Sequence, residues 1–505
     1  MKLSIHKLFS ALVLVGLFAL TARPILVPDF WWHLRTGQYM AETGGLPPSD
    51  PFSYTSAGKE WITHEWGSEI LMYWVYQVAG WGGLILVFSI VITAAFVIVY
   101  RRCAGRPFVA GLALLLGALS TAPVWGVQPQ MITMLLASVF LMLLEKYARD
   151  GAIRHLLWMP PLTVAWVNLH GGYLLAPLLI VLVTAGLALD ELVGGEGARD
   201  AWGRAVSAQS EGTITRAARR VLPLLVVAVL CTLAIAVNPH GTRMYSYPIE
   251  TLRSPVMAEN LRDWLSPNFH RPSMVPFALL LFATGAALAL SPKRPKPSEV
   301  LMASVAGLAA LRSGRHIPIF ALVAIPLLAE HGWLWLKERP WGQWLAAPDR
   351  QPTRMKALFH MAVLAVMILW AALRFAGIIN EQRSSEAEVF PRAAVEYIRA
   401  EKPPQPLFHR YDWGGYLLWY LHPEYRSYID GRADLHGDAF MEEYFRSYRG
   451  RSRWQESLER WKVQSALVEP EAPIASLLRL DPAWDKVYED KQAVLFVKKE
   501  IGNKQ

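Results

Sequence analysis

Asp29 follows the first long apolar run of the 505-residue chain, at the point where a membrane helix would leave the bilayer. His33 lies four residues on, and His64 and Glu65 come after a Gly/Pro/Ser-rich stretch, framed by Trp61 and Trp66. Short polar motifs then recur between apolar runs: His170 in WVNLHGGY, His240 and Arg243 in NPHGTRMYSYP, Asp263 in LRDWLSPNF, and Arg312, Arg315 and His316 in LRSGRHIP. Polar groups beside hydrocarbon are costly, so their recurrence there points to a functional cavity. A carboxylate among imidazoles and guanidiniums suits an acid/base step on an anionic, lipid-linked substrate. Asp29 is the candidate general base for an acceptor hydroxyl, its pKa lifted by partial desolvation and lowered by nearby cations. Glu65 and His64 are the further catalytic candidates. Arg312, Arg315 and Arg243 are candidate phosphate holders, because a guanidinium fork matches phosphate oxygens and neutralises a leaving phosphate. His33, His170, His240, Asp263 and His316 are candidates for further substrate hydrogen bonds.

The first cluster has a plainer alternative. Phe30, Trp31 and Trp32 beside Asp29 are the ring types that favour the lipid headgroup level, and an aromatic belt with incidental charges would read the same way. The stretch from Val27 to Ser68 is accordingly expected to lie on the membrane surface. His33, His64 and Glu65 are also of the types that bind a divalent ion. No HExxH-like spacing supports a metal, so metal use stays open, and no other cofactor is indicated.

The elements that must carry these residues are membrane helices. The chain is 53% hydrophobic with 21 Trp and 18% charged residues, and apolar runs fall at 8–27, 81–100, 107–124, 129–145, 155–169, 172–190, 221–237, 274–291, 298–311, 316–334 and 357–376. That predicts about eleven spans, each near the length a bilayer requires. With the N-terminus inside, about 21 basic residues fall in inner loops against about nine outside before the C-terminal region, the bias that the positive-inside rule requires. The formal charge of +9 therefore reports topology and gives no reason to expect nucleic acid. Arg23 and Pro24 stand where a cleaved leader would carry small residues, so the first run reads as an uncleaved anchor. The two cysteines, Cys103 and Cys231, sit in or beside apolar runs and predict no disulfide framework.

Two domains result: a transmembrane domain over 1–376, with a long first extracytoplasmic loop at 28–80, and a small extracytoplasmic α/β domain over 377–505. In the second, VFPRAAVEYIRA reads as a helix and PLFHRYDWGGYLLWYL as strand, turn and helix. RSYIDGRADL and SALVEP read as strands, and KVYEDKQAVLFVKK as a closing hairpin. Asp430, Arg432 and Asp434, and Asp412 with Gly414 and Gly415, are more easily read as turns than as ligand sites.

An Asp just past the first span, the helix DFWWHLRTGQYM, a long outer loop returning through HEWGSEILMYW, and about eleven spans before an outer soluble domain resemble the GT-C superfamily of polyprenyl-phosphate-dependent glycosyltransferases. Protein O-mannosyltransferases and lipid A aminoarabinose transferases are members. The resemblance covers roughly residues 1–376 and implies that Asp29 holds the position of the catalytic acid. It further implies an inverting transfer from a polyprenyl-phosphate sugar donor to a lipid, glycan or protein acceptor outside a bacterial inner membrane. One departure is that Phe30 follows Asp29 where many relatives place a second acid, leaving Glu65 as the second candidate and metal use in doubt. A lipid-linked glycan polymerase or ligase is the alternative enzyme. A transporter or scaffold is the alternative from another class, and dispersal of the polar motifs in space would favour it.

Overall fold

The structure, a computed structural model, describes residues 3–103, 107–194, 213–261, 263–340, 342, 345, 349 and 351–499. Arg262 and most of the basic segment 191–215 lie outside the described residues. The helices in chain order are α1 (Ile5–Thr21), α2 (Asp29–Thr43), α3 (Trp66–Arg102), α4 (Pro107–Thr121), α5 (Gln130–Asp150), α6 (Met159–Leu169) and α7 (Leu175–Gly194). They continue with α8 (Thr213–Ala234), α9 (Arg243–Arg253), α10 (Pro255–Asn260), α11 (Val275–Leu290), α12 (Pro297–Arg312), α13 (Ile317–Leu336) and α14 (Arg354–Val389). Each apolar run of the sequence falls largely on one of them. Among the described residues, seven helices are long and apolar enough to cross a membrane, and α1 is a shorter apolar helix. The expected count of eleven is not reached on that criterion for physical reasons. At about 1.5 Å per residue, the 11 residues of α6 and the 16 of α12 fall short of a hydrocarbon layer about 30 Å thick. The start of α8 carries Arg219 and Arg220.

Packing follows from which faces are small or apolar. α3 lies against α5, α4 against α13, α7 against α8 and α12, and α1 against α14. Only 11% of the most apolar window of α14 is buried, so Leu358, Phe359, Val366, Leu369 and Leu373 present a broad apolar surface suited to lipid. α3 is kinked at Gly80, whose φ of 58° suits glycine. The kink separates residues 66–80, assigned to the first loop by sequence, from the apolar run that follows; the helix itself already begins at Trp66.

α14 continues unbroken to Val389, past the boundary expected at 376, and delivers the chain to the C-terminal domain. There α15 (Arg392–Glu401), α16 (Gly414–Leu421), α17 (Ala433–His436), α18 (Asp438–Tyr448), α19 (Gln455–Arg460) and α20 (Pro473–Leu480) surround a sheet. The sheet is formed by β1 (Leu407–His409), β2 (Ser465–Val468), β3 (Trp484–Glu489) and β4 (Val494–Lys498) in the order β1-β2-β4-β3. β1 and β2 are parallel, and β4 pairs antiparallel with both β2 and β3. The strand expected at RSYIDGRADL does not form. Ser427 makes one isolated bridge to Ser53, and the buried side chains of Asp430, Arg432 and His436 take up neighbouring backbone and polar groups instead of leaving a ladder.

The aromatic run after Asp29 also departs from expectation. Phe30 and Trp31 are fully buried in protein and Trp32 nearly so, which rules out a lipid-facing belt. α16 packs over α2, and Trp31 meets Tyr416, Phe390 and Trp81 edge-on at 4.9, 5.6 and 5.7 Å.

Candidate functional site

Asp29 opens α2, where a helix N-terminus favours a carboxylate. Trp32, one turn on, donates its indole N–H to Asp29 Oδ1 at 3.2 Å. Asp29 is partly buried and keeps some accessible surface. Burial raises its pKa to about 7, against the opposing pull of His33 and the Trp32 hydrogen bond, while Asp263 and Asp412 add to the rise. Near neutral pH the carboxyl is therefore poised between its two forms, as a general base requires.

Glu65, at the end of the first loop, gathers three imidazoles. His64 Nε2 stands 3.1 Å and His170 Nε2 3.5 Å from its Oε1, and His33 Nε2 stands 3.5 Å from its Oε2. Burial alone would favour the neutral acid; His170, His64 and His33 outweigh it and hold the carboxyl well below the usual range. For His64, burial opposes the charge, but Glu65 and Asp434 overcome it and raise the ring to about 9. His170 moves the other way, to about 4, mainly through burial. Its Nδ1 accepts from the Gly172 N–H at 2.9 Å and lies 2.7 Å from the Thr133 hydroxyl, so the neutral ring carries its proton on Nε2, facing Glu65. His33 bridges to a further acid, its Nδ1 lying 3.1 Å from Glu69 Oε1.

Across the recess, the segment ending α12 supplies the cation. Arg315 lies 4.5 Å over the Trp264 ring, its N–H donates to the Asp263 carbonyl at 3.2 Å, and Asp29, Asp263, Glu65 and Tyr247 all lie within electrostatic reach of its guanidinium. His316 follows it, half-buried, with Nδ1 unpartnered. Arg312 is exposed at the end of α12, where its carbonyl accepts from the Ser266 hydroxyl; among the described residues nothing ties its guanidinium to the recess. Arg243 is also placed apart, in an exposed ion pair with Glu60. His240 is lowered from its ordinary value by burial, then by His64 and Arg243, and its Nε2 is buried without a partner.

The residues of the remaining wall stand in motifs with weaker signals. Asp434 of the C-terminal domain accepts from the Tyr247 hydroxyl at 3.0 Å, and the Tyr247 ring lies 4.6 Å from that of His64. Asp434 and Arg432 line one small pocket together with His64, Glu65 and Glu69. Of these, Glu69 was legible in principle, standing four residues after Glu65 and so on the same face of a helix beginning there.

Among the described residues, no group of three or more His, Cys, Asp or Glu is arranged to hold a metal ion. His33, His64 and Glu65, the candidate ligands, are instead hydrogen-bonded to one another and to Glu69, with His64 Nδ1 3.3 Å from the Ile62 carbonyl.

No protein-family model matches the chain, and no curated protein matches it. Among solved structures it is similar to the archaeal oligosaccharyltransferase AglB from Archaeoglobus fulgidus in complex with an inhibitory peptide and a dolichol-phosphate. That likeness has a TM-score of 0.53 and 12% identity over 92% of this chain and 69% of that one. The apo form of the Archaeoglobus fulgidus enzyme gives a TM-score of 0.52 and 13% identity over 92% and 70%. ArnT from Cupriavidus metallidurans, bound to undecaprenyl phosphate, aligns over 97% of each chain at 16% identity and a TM-score of 0.45. At these identities the likeness is one of fold: the chain shares the fold of that oligosaccharyltransferase, and is a multi-pass membrane protein with a small C-terminal sheet.

Proposed function

We propose that this chain transfers a sugar from a polyprenyl-phosphate donor to an acceptor on the side of the membrane that carries its C-terminal domain. The observation that carries this reading is the meeting of Asp29 and Arg315. They are separated by most of the transmembrane sequence and lie within each other's electrostatic reach. A dolichol-phosphate is present in one of the structures sharing the fold, which supports a lipid-phosphate donor.

In the proposed reaction the acceptor hydroxyl oxygen attacks the anomeric carbon as its bond to the phosphate oxygen breaks, with inversion. Asp29 receives the hydroxyl proton, and Arg315 stabilises the charge gathering on the leaving lipid phosphate. The buried imidazoles of His33, His64 and His170 around Glu65 keep the site polar and oriented. His240, His316 and Asp263 complete its rim. The basic residues of the expected inner loops support an orientation with the C-terminal domain outside a bacterial inner membrane.

The test is made on purified protein in lipid nanodiscs. Undecaprenyl phosphate should bind, and transfer should be detected from a panel of undecaprenyl-phosphate-linked hexoses and pentoses. Asp29→Asn should keep the binding and lose transfer by about 10²- to 10⁴-fold. Transfer by Asp29→Asn at the wild-type rate would remove Asp29 from the chemistry, and absence of undecaprenyl phosphate binding would remove the donor.

A further inference from the structure

The start of α16 and the turn at Gly431 meet the N-terminal turn of α2 around Asp29. A Cβ on Gly431 would fall 1.8 Å from Asp29 Oδ1, and one on Gly415 would fall 3.0 Å from the Pro28 carbonyl oxygen and 3.1 Å from the Trp32 nitrogen. Only residues without side chains let the domain come this close, so the N-terminal turn of α2 and the domain form one surface. Tyr411 lies in the short turn Tyr411–Trp413 that leads into α16 and Gly415. Its N–H donates to the Tyr444 hydroxyl at 2.6 Å, and its ring lies 6.4 and 6.1 Å from those of Tyr444 and Phe445.

The ring is thus held by an aromatic cluster while its hydroxyl is left over. A buried tyrosine normally finds a hydrogen-bond partner for its hydroxyl. Among the described residues the Tyr411 hydroxyl has none, and the residue is only partly buried. Burial, and then Asp29, Asp430, Asp412 and Asp434, raise this phenol well above its ordinary value, so it stays protonated and available as a donor. Asp434 accepts from Tyr247 through one oxygen, and among the described residues its other oxygen has no hydrogen-bond partner. Tyr411 lies within electrostatic reach of both Asp29 and Asp434, and a donor and an acceptor so placed complement the hydroxyls of a sugar better than they do a phosphate, which both acids would repel.

We propose that the C-terminal domain forms a sugar-binding wall of the recess, with the Tyr411 hydroxyl as donor and the Asp434 carboxylate as acceptor to hydroxyls of the donor sugar. This rests on the glycosyl-transfer reading of the recess and extends it to a domain the sequence left without a role.

The experiment compares binding of undecaprenyl phosphate with binding of the same lipid carrying each of several hexoses and pentoses, in nanodiscs, for wild type, Tyr411→Phe and Asp434→Asn. Wild type should bind one sugar-bearing lipid more tightly than the bare lipid. Tyr411→Phe should lose about tenfold of that gain, the size of one hydrogen bond, with bare-lipid affinity and melting temperature unchanged. Asp434→Asn serves as the second variant and should lose part of the same gain. The proposal is overturned if no sugar adds affinity in wild type, or if both variants keep the full gain. In either case bare-lipid binding remains and the glycosyl-transfer reading stands. Failure of wild type to bind the bare lipid would overturn that reading, and the sugar wall with it.

Discussion

Gly431 leaves Asp29 no space: the nearest approach of an added Cβ to the carboxylate oxygen would be 1.8 Å, and to the Trp32 indole nitrogen 2.7 Å. Trp32 is the residue that donates to Asp29, so one added methyl would press on the carboxylate and on its hydrogen-bond donor together. Gly431→Ala is therefore expected to reduce transfer strongly while leaving undecaprenyl phosphate binding within about threefold, since Arg315 stands on a different element. A variant with normal turnover would show that the contact between the domain and α2 yields without consequence.

Asp29 also sets an expected pH dependence. A base raised to about 7 by burial is mostly protonated below that pH, so kcat/KM should climb through neutrality and level off above it. The stability effect has the opposite sign. Because the folded pKa lies above the unfolded one, the stabilising contribution of the neutral carboxyl is full below the unfolded value near 3.8 and is lost as pH rises through about 7. Asp29→Asn should thus raise the melting temperature more at pH 8 than at pH 5, and an equal change at both would contradict the burial argument.

The two arginines of LRSGRHIP should separate. Arg315 lies within reach of Asp29 and Glu65, whereas Arg312 is exposed and turned out of the recess. Arg315→Ala is expected to weaken undecaprenyl phosphate binding about 10- to 100-fold, the range for a charge-assisted hydrogen bond, and Arg312→Ala by less than about threefold. Titrating both variants against the bare lipid reads the difference directly.

These contrasts mark where the chain was legible. Asp29, His64, Glu65, His170 and Arg315 could be grouped because each stands at the end of an apolar run, and alternation brings such ends to one face of a membrane. Distance within that face was not legible, which is why Arg243, spent on Glu60, looked equivalent to Arg315. Burial partners were hidden as well. Trp31 has the composition of a headgroup anchor, and only the arrival of α16 from nearly 400 residues downstream makes it a core residue. Gly415, Gly431 and Asp434 lay in short motifs that also suit plain turns, and their meaning depends on a docking that no local pattern encodes.

That docking hinges on Arg432. Its guanidinium is buried and pairs with Asp50 of the first loop at 2.7 Å and with Asp430 at 2.6 Å, and its Cζ lies 4.5 Å over the Trp61 ring. Arg432 and its neighbour His436 outweigh the burial of Asp430 and hold that carboxyl well below the usual range. A depressed folded pKa contributes stability above the unfolded value near 3.8 that is lost as pH falls through the folded one. Arg432→Met would strand two buried acids and is expected to cost about 3–5 kcal/mol, read as a fall in melting temperature in detergent. Arg432→Lys should recover only part, because one ammonium cannot match both carboxylates in the fork geometry. If the loss comes from uncompensated charge, adding Asp50→Asn and Asp430→Asn to Arg432→Met should restore much of the stability at pH 7. A triple variant no more stable than Arg432→Met alone would assign the effect to packing against Phe52 and Trp61 instead.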